Sequence, residues 1–206
     1  MYGRGLRKYR IDRVISDIRS AEQHGAKALF IVDDNITADV GRFEEICDAI
    51  AGEGLSHIHY VVQASVKGIS SSRTLVRKMA AAGFKCVFLG IENVSGDNLN
   101  FLGKEREISE MTRAAVAYLR EERIILLGGF MLGNPDDSEG DFWENYRYAR
   151  SLRIDGPFFF VITPHLKTEL RHRTGEESGD FSFAVWMFIL YFIAAGSPPD
   201  VFQIGV

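Results

Sequence analysis

The chain has 206 residues, 24 Lys and Arg against 28 Asp and Glu, a formal net charge of -4 and 46% hydrophobic residues. That length suits one domain with a sizeable core, and weak negative charge with scattered basic residues offers no field for nucleic acid. Its two cysteines, Cys47 and Cys86, form no CxxC pair, which excludes a disulfide framework and a self-contained zinc or iron–sulfur motif.

In chain order, MYGRGLRKYR lacks the apolar core of a signal peptide and points to a cytoplasmic protein. The opening basic residues of the chain, Arg4, Arg7, Lys8, Arg10 and Arg13, read as a solvated first turn. From Ile11 to Phe84 a helical pattern, a glycine, a short apolar run and polar residues succeed one another repeatedly. Gly25, Gly54 and Gly83 recur where a helix would close in a left-handed turn before the next strand.

The predicted strands are ALFIV (Ala28 to Val32), IHYVVQA (Ile58 to Ala64), CVFLGI (Cys86 to Ile91), ILLGGFML (Ile125 to Leu132) and FFFVIT (Phe158 to Thr163). Each is a near-continuous apolar run, the pattern of a parallel strand covered on both faces. Helical apolar faces lie between them: Val14, Ile18 and Ala21; Phe43, Ile46, Cys47 and Ile50; Leu75 and Met79; Met111, Ala115, Tyr118 and Leu119; Phe142, Tyr146 and Ala149. Ser138 and Asp141 form a capping-box pair ahead of the last. Alternating strands and helices predict an α/β fold, either an open doubly wound sheet or part of a (β/α) barrel.

In both architectures the functional end is the carboxyl end of the strands. The polar residues there are Asp33, Asp34 and Asn35; Gln63 and Ser65; Glu92 and Asn93; Gly133, Asn134, Asp136 and Asp137; Thr163 and His165. Taken singly, Asp33 or Asp34 reads as a turn or helix cap, and Asp136 and Asp137 as shaping the turn after Pro135. As a set on one rim they read as a polar pocket, because a carboxylate taken out of water needs a partner. Glu92 comes directly after VFLGI, placed to accept hydrogen bonds from a ribose diol or an amine, or to pair with Lys67 or Lys104. Gly128 and Gly129 mark close approach to the strand, by a flat ring with Met131 or Leu132 on its face or by a crowding helix. His57 and His59 read as structural.

Four stretches in order, FIVDDNIT (Phe30 to Thr37), FKCVFLGIENV (Phe84 to Val94), GGFMLGNPDD (Gly128 to Asp137) and TPHLKTEL (Thr163 to Leu170), resemble the radical S-adenosylmethionine (radical SAM) enzymes. The likeness is to the branch whose members often carry a cobalamin-binding domain. It implies a partial, parallel (β/α) barrel over residues 1–173, of the TIM-like radical SAM type, with S-adenosylmethionine across the strand ends. It further implies that Asp33, Asp34 and Asn35 meet the methionyl part and Glu92 the ribose, that Gly129, Met131 and Gly133 lie against the adenine, and that Gln63 and Ser65 line the cavity. A 4Fe-4S cluster, reductive cleavage of the cofactor to a 5'-deoxyadenosyl radical, hydrogen abstraction from an unknown small molecule, and a flavodoxin or ferredoxin electron donor belong to the same expectation.

The sequence departs from that pattern at one place: it has no Cys-x-x-x-Cys-x-x-Cys to ligate the cluster. MYGRGLRKYR resembles the stretch on the C-terminal side of those cysteines in the family, so the expectation is a core truncated at its N-terminus, inactive alone, with the cluster loop and any cobalamin domain upstream. The alternatives from the residues are a (β/α) enzyme holding Mg²⁺ with Asp33, Asp34, Glu92 and Asp136, and a non-catalytic nucleotide-binding remnant. Residues 174–206 form a divergent hydrophobic tail. Its apolar run FSFAVWMFILYFIAAG (Phe181 to Gly196) would reach only about 24 Å as a helix, against about 30 Å of hydrocarbon. Being apolar all round, it reads as a buried or aberrant tail, with membrane attachment as the minor alternative.

Overall fold

The computed structural model describes residues 8–92, 105–132 and 137–161. Its elements are α1 (Ile11–Gln23), β1 (Ala28–Ile31), a 3-10 turn (Ile36–Ala38), α2 (Val40–Gly52), β2 (His59–Ser65), α3 (Val66–Ser71), α4 (Arg73–Ala82), β3 (Phe84–Glu92), α5 (Glu105–Glu121), β4 (Ile125–Leu132), α6 (Glu139–Leu152) and β5 (Gly156–Val161). All neighbouring strands are parallel, in the order β1-β2-β3-β4-β5.

That order decides between the two predicted architectures. Right-handed crossovers between successive parallel neighbours place every connecting helix on the same face, whereas a doubly wound sheet reverses direction partway. The described strands are therefore part of an unclosed (β/α) barrel.

Burial results from this one-sided covering. In β2 the residues Tyr60, Val62 and Ala64 are buried and the alternate ones only half so. In β3 Val87, Leu89 and Ile91 are buried while Phe88 and Gly90 are not. The helix-side core joins these to Ile15, Ile18, Phe43, Ile46, Cys47, Ile50, Leu75, Met79, Ala115 and Leu119. Phe84 anchors it, edge-on to Phe43 at 5.2 Å and tilted against Tyr60 at 5.1 Å. The Tyr60 hydroxyl donates to the Leu55 carbonyl at 3.0 Å, and burial pushes its pKa up to about 12.

The other face is open among the described residues, contrary to the expectation of strands covered on both sides. Phe30 is 51% exposed, Val32 83% and Ile125 46%. α6 also departs from its predicted face: Asn145, Ala149 and Leu152 are buried while Phe142 and Trp143 stand exposed.

The helix ends behave as their sequences dictate. Gly25, Gly54 and Gly83 take φ of 87°, 72° and 97°. At the corresponding turns after α5 and α6, Arg123 and Arg153 adopt φ of 57° and 52°. The Ser138 N–H and hydroxyl both donate to the Asp141 carboxylate at 2.7 Å, the expected capping pair. Asp39 caps α2, accepting from the Arg42 N–H at 3.0 Å and pairing with Lys8. Lys8 and then the Arg42 N–H hold the Asp39 carboxyl below its ordinary pKa of 3.8. Because the folded pKa is the lower one, this stabilisation is present above the ordinary carboxylate pKa and drains away as pH falls through the folded value. Following unfolding from neutral pH down into that acid range should show it, and Asp39→Asn should flatten that part of the profile.

Candidate functional site at the carboxyl rim

The register layers the open face. Phe30, Val61, Cys86 and Ile125 align across β1 to β4 near the amino-terminal end. Gln63, Phe88, Leu127 and Gly156 form the next layer, and Ser65, Gly90, Gly129 and Phe158 the one above. Met131 and Phe160 close the series. Apolar rings therefore floor the face, and polar groups gather towards the carboxyl ends.

The first wall is built by FIVDDNIT. Asp33 accepts from the Asn35 N–H at 2.9 Å, an Asx turn that carries the chain off β1. Asp34 is exposed and its side chain makes no hydrogen bond among the described residues. The residue that organises the wall is Thr37, only 4% exposed. Its hydroxyl donates to Asn35 Oδ1 at 2.7 Å, accepts from the Ser65 N–H at 3.0 Å and lies 3.1 Å from Ser65 Oγ. Ser65 Oγ accepts in turn from the Gly68 N–H at 3.1 Å, capping α3. Asn35 and Ser65 are thus brought together through a side chain absent from the strand-end set. Residue 68 has to be glycine, since an added Cβ would stand 2.2 Å from Thr37 Cβ and Oγ1.

Removing the hydroxyl while keeping the shape tests this joint. Thr37→Val leaves the Ser65 N–H and the Asn35 carbonyl oxygen without their partner, and should cost about 2 kcal/mol in a urea titration. Thr37→Ser should recover most of the loss.

Glu92 carries the most unusual backbone on the rim. It ends β3 with φ of 66°, left-handed for a non-glycine residue, where the ladder with β4 shifts register between Gly90 and Glu92. A side chain at residue 90 would meet Glu92 Oε1 at 2.9 Å, so the carboxylate folds back over Gly90, whose Cβ direction alternates with Phe88 onto the open face. Gly90 leaves room for that fold. Lys67 makes no ion pair with Glu92, and Lys104 lies outside the described residues.

The glycine pair of β4 is accounted for within the chain. A Cβ at Gly129 would stand 2.6 Å from Phe88 Cζ, so the Phe88 ring fills that space on the open face. One at Gly128 would meet Ile91 Cδ1 at 3.0 Å and Ile154 Cδ1 at 3.1 Å on the helix side. Met131 is half-buried beyond Gly129, while Gly133, Asn134, Asp136, Asn93, Thr163 and His165 lie outside the described residues. His57 sits in the turn before β2, its Nε2 2.8 Å from Glu22.

The cysteines do not fit a cluster. Cys47 is buried on the helix side, where desolvation pushes its pKa up to about 12. Cys86 lies near the amino-terminal end of the open face, raised to about 11 by desolvation and then by Asp155. Cluster iron takes thiolates, and both sites favour the thiol. Among the described residues no group of three or more His, Cys, Asp or Glu comes together to hold a metal ion, Asp33, Asp34 and Glu92 included.

An unclosed run of sequential parallel strands with a polar carboxyl rim defines a partial (β/α) barrel. The chain has the fold of a radical SAM core. It superposes with a TM-score of 0.67 on the radical S-adenosylmethionine methyltransferase TsrM from Kitasatospora setae, solved with cobalamin and a 4Fe-4S cluster bound, at 15% identity over 75% of this chain and 31% of that one. In sequence it is 27% identical over 170 residues to an uncharacterized methyltransferase of Pyrococcus horikoshii, covering 82% of this chain and 36% of that protein. It is 26% identical over 184 residues to the bacteriochlorophyllide d C-12(1)-methyltransferase of Chlorobaculum tepidum, covering 84% of this chain and 39% of that protein. The chain therefore spans well under half the length of these curated relatives. No family model matches it.

Proposed function

We propose that this chain supplies the S-adenosylmethionine-holding part of a radical SAM enzyme. The observation that carries the reading is Glu92, a carboxylate held in a left-handed conformation and folded over Gly90 on the open face of this fold. Strain of this kind is retained where the surrounding structure and a ligand use it.

The donor set suits that cofactor. Glu92 offers acceptor oxygens to the ribose diol, Gln63 and Ser65 offer amide and hydroxyl groups, and Asn35, Asp33 and Asp34 face the cationic methionyl end. Gly129 and Met131, with Phe88 and Phe158, give the adenine an apolar surface. When bound, S-adenosylmethionine supplies an activated methyl and adenosyl group. The protein's own part is to hold and orient it and to keep water from it.

Reductive cleavage needs a 4Fe-4S cluster whose thiolates are not in this sequence, so no step through the cluster is assigned to these residues. A cluster-bearing segment, an electron donor such as a flavodoxin or ferredoxin, and cobalamin, which is bound in the TsrM structure, complete the proposal for the intact enzyme. The methyltransferase names of both sequence relatives favour methyl transfer over simple hydrogen abstraction as its outcome.

Equilibrium dialysis of the chain with radiolabelled S-adenosylmethionine tests the reading. Saturable binding that unlabelled 5'-methylthioadenosine displaces supports it. No saturable binding up to about 1 mM, a free energy of about -4 kcal/mol, overturns it.

A further inference from the structure

We propose that the amino-terminal ends of β4 and β5 hold a phosphate-type oxyanion in a cavity built by Arg120, Arg123 and Arg153. The cavity measures about 170 Å³, with Asp155 as its carboxylate and an apolar wall at Val116 and Ile125. That is well below the ~300–1,000 Å³ of a pocket for a drug-sized ligand, so its occupant is a small ion or the terminal group of a larger molecule. It lies at the end of the strands opposite the carboxyl rim, and the inference stands whether or not the rim binds S-adenosylmethionine.

Two of these arginines stand where arginine is unfavourable. The turns that close α1, α2, α4, α5 and α6 each place one residue in the left-handed region: glycine at 25, 54 and 83, but arginine at 123 and 153. An L-residue is less stable there than glycine, and both exceptions line the same cavity. Their charges are not used within the chain. The side chains of Arg123 and Arg153 make no hydrogen bond or ion pair among the described residues. The acids beside Arg123 are committed elsewhere, Glu121 to Arg73 and Glu122 to Arg77. Arg120 Nη2 donates to the carbonyls of Leu152 at 2.7 Å and Arg153 at 3.0 Å, which already answers the negative end of the α6 dipole. Asp155 Oδ2 accepts from the Leu126 N–H at 2.9 Å, and Asp155 forms no ion pair with any of the three arginines. Three guanidiniums against one carboxylate leave an excess of two positive charges. A dianion balances them, and guanidinium forks match the oxygens of a phosphate.

Equilibrium dialysis of the full chain with radiolabelled inorganic phosphate tests the site, in about 0.15 M NaCl to screen charges more than about 8 Å apart. Saturable binding at one site per chain is expected. The double variant Arg123→Gly, Arg153→Gly suits both left-handed turns, and should bind phosphate about tenfold more weakly or worse through loss of charge-assisted hydrogen bonds. Its urea midpoint in chloride should be no lower than the native chain's. A second measurement needs no variant: phosphate should slow phenylglyoxal modification of Arg123 and Arg153 several-fold in the native chain, read by peptide mass spectrometry, and leave exposed Arg147 unchanged. Glycerol 3-phosphate displacing the label no better than unlabelled phosphate supports a site for the free ion, and markedly better displacement supports one for the phosphate group of a larger molecule. No saturable binding up to about 10 mM, tenfold weaker than a millimolar complex, overturns the proposal. So does full binding by a folded glycine variant, or modification of Arg123 and Arg153 that phosphate does not slow.

Discussion

Glu92→Ala is expected to weaken S-adenosylmethionine binding by roughly ten- to a hundredfold, the loss of hydrogen bonds made to a charged group at about 1.5–3 kcal/mol. Glu92→Gly separates that role from folding. A left-handed L-residue costs about 1–2 kcal/mol and glycine returns about 0.5–1 through its larger unfolded-state entropy. The glycine variant should therefore be as stable as the native chain, or more so by up to about 1 kcal/mol, while binding as poorly as the alanine variant. Parallel urea titrations and dialysis measure both. A glycine variant that loses stability and keeps its affinity would show that the carboxylate serves the fold and not the ligand.

Gly83→Ala should be the most destabilising single methyl in the chain's helix-to-strand turns. Gly83 closes α4 with φ of 97°, and a Cβ there would stand 2.5 Å from the Ser56 carbonyl oxygen and 2.6 Å from that of Ile58. Both neighbours are backbone and cannot rotate away. The Gly83 carbonyl also accepts from the Tyr60 N–H at 3.1 Å, so displacing the turn disturbs the start of the β2 ladder. Left-handed strain of about 1 kcal/mol with overpacking of about 1–3 kcal/mol puts the loss near 3 kcal/mol. Gly54→Ala is the matched control: φ is 72° with nothing within 4 Å of the added atom, so it should lose only about 1 kcal/mol. Equal losses at the two positions, read as urea midpoints, would show that backbone strain alone governs both.

Much of this architecture is legible in local sequence because local rules govern it. ILLGGFML becomes β4 over the predicted residues, and Phe43, Ile46, Cys47 and Ile50 form the buried face of α2, since hydrophobic spacing reports the period of each element directly. The glycines at 25, 54 and 83 are left-handed as predicted because few other residues enter that conformation cheaply. Arg123 and Arg153 take the same conformation without such a signal, and α3 continues from β2 without a gap, its cap supplied by Ser65, the last residue of the strand.

The rim was readable as a list and not as an arrangement. Asp33, Asn35, Ser65 and Glu92 end strands or lie just beyond them, which spacing alone reveals. That Thr37 ties Asn35 to Ser65 across two strands depends on β1 and β2 being neighbours, a contact between residues 28 positions apart. Gly129 gave an ambiguous signal for the same reason: the ring that fills its missing side chain belongs to Phe88 on the adjacent strand.

Residues near one another in the chain were enough to dictate the alternation of strands and helices, the turns that join them, the polar character of the strand ends and the lack of a cluster motif. Tertiary contacts alone settled that the strands run β1 to β5 in order, that among the described residues the barrel is unclosed and one face is left open, and that Glu92 folds back over Gly90. These depend on which strands pair and in what register. Apolar runs of similar composition pair equally well in several orders, and packing between distant segments selects among them.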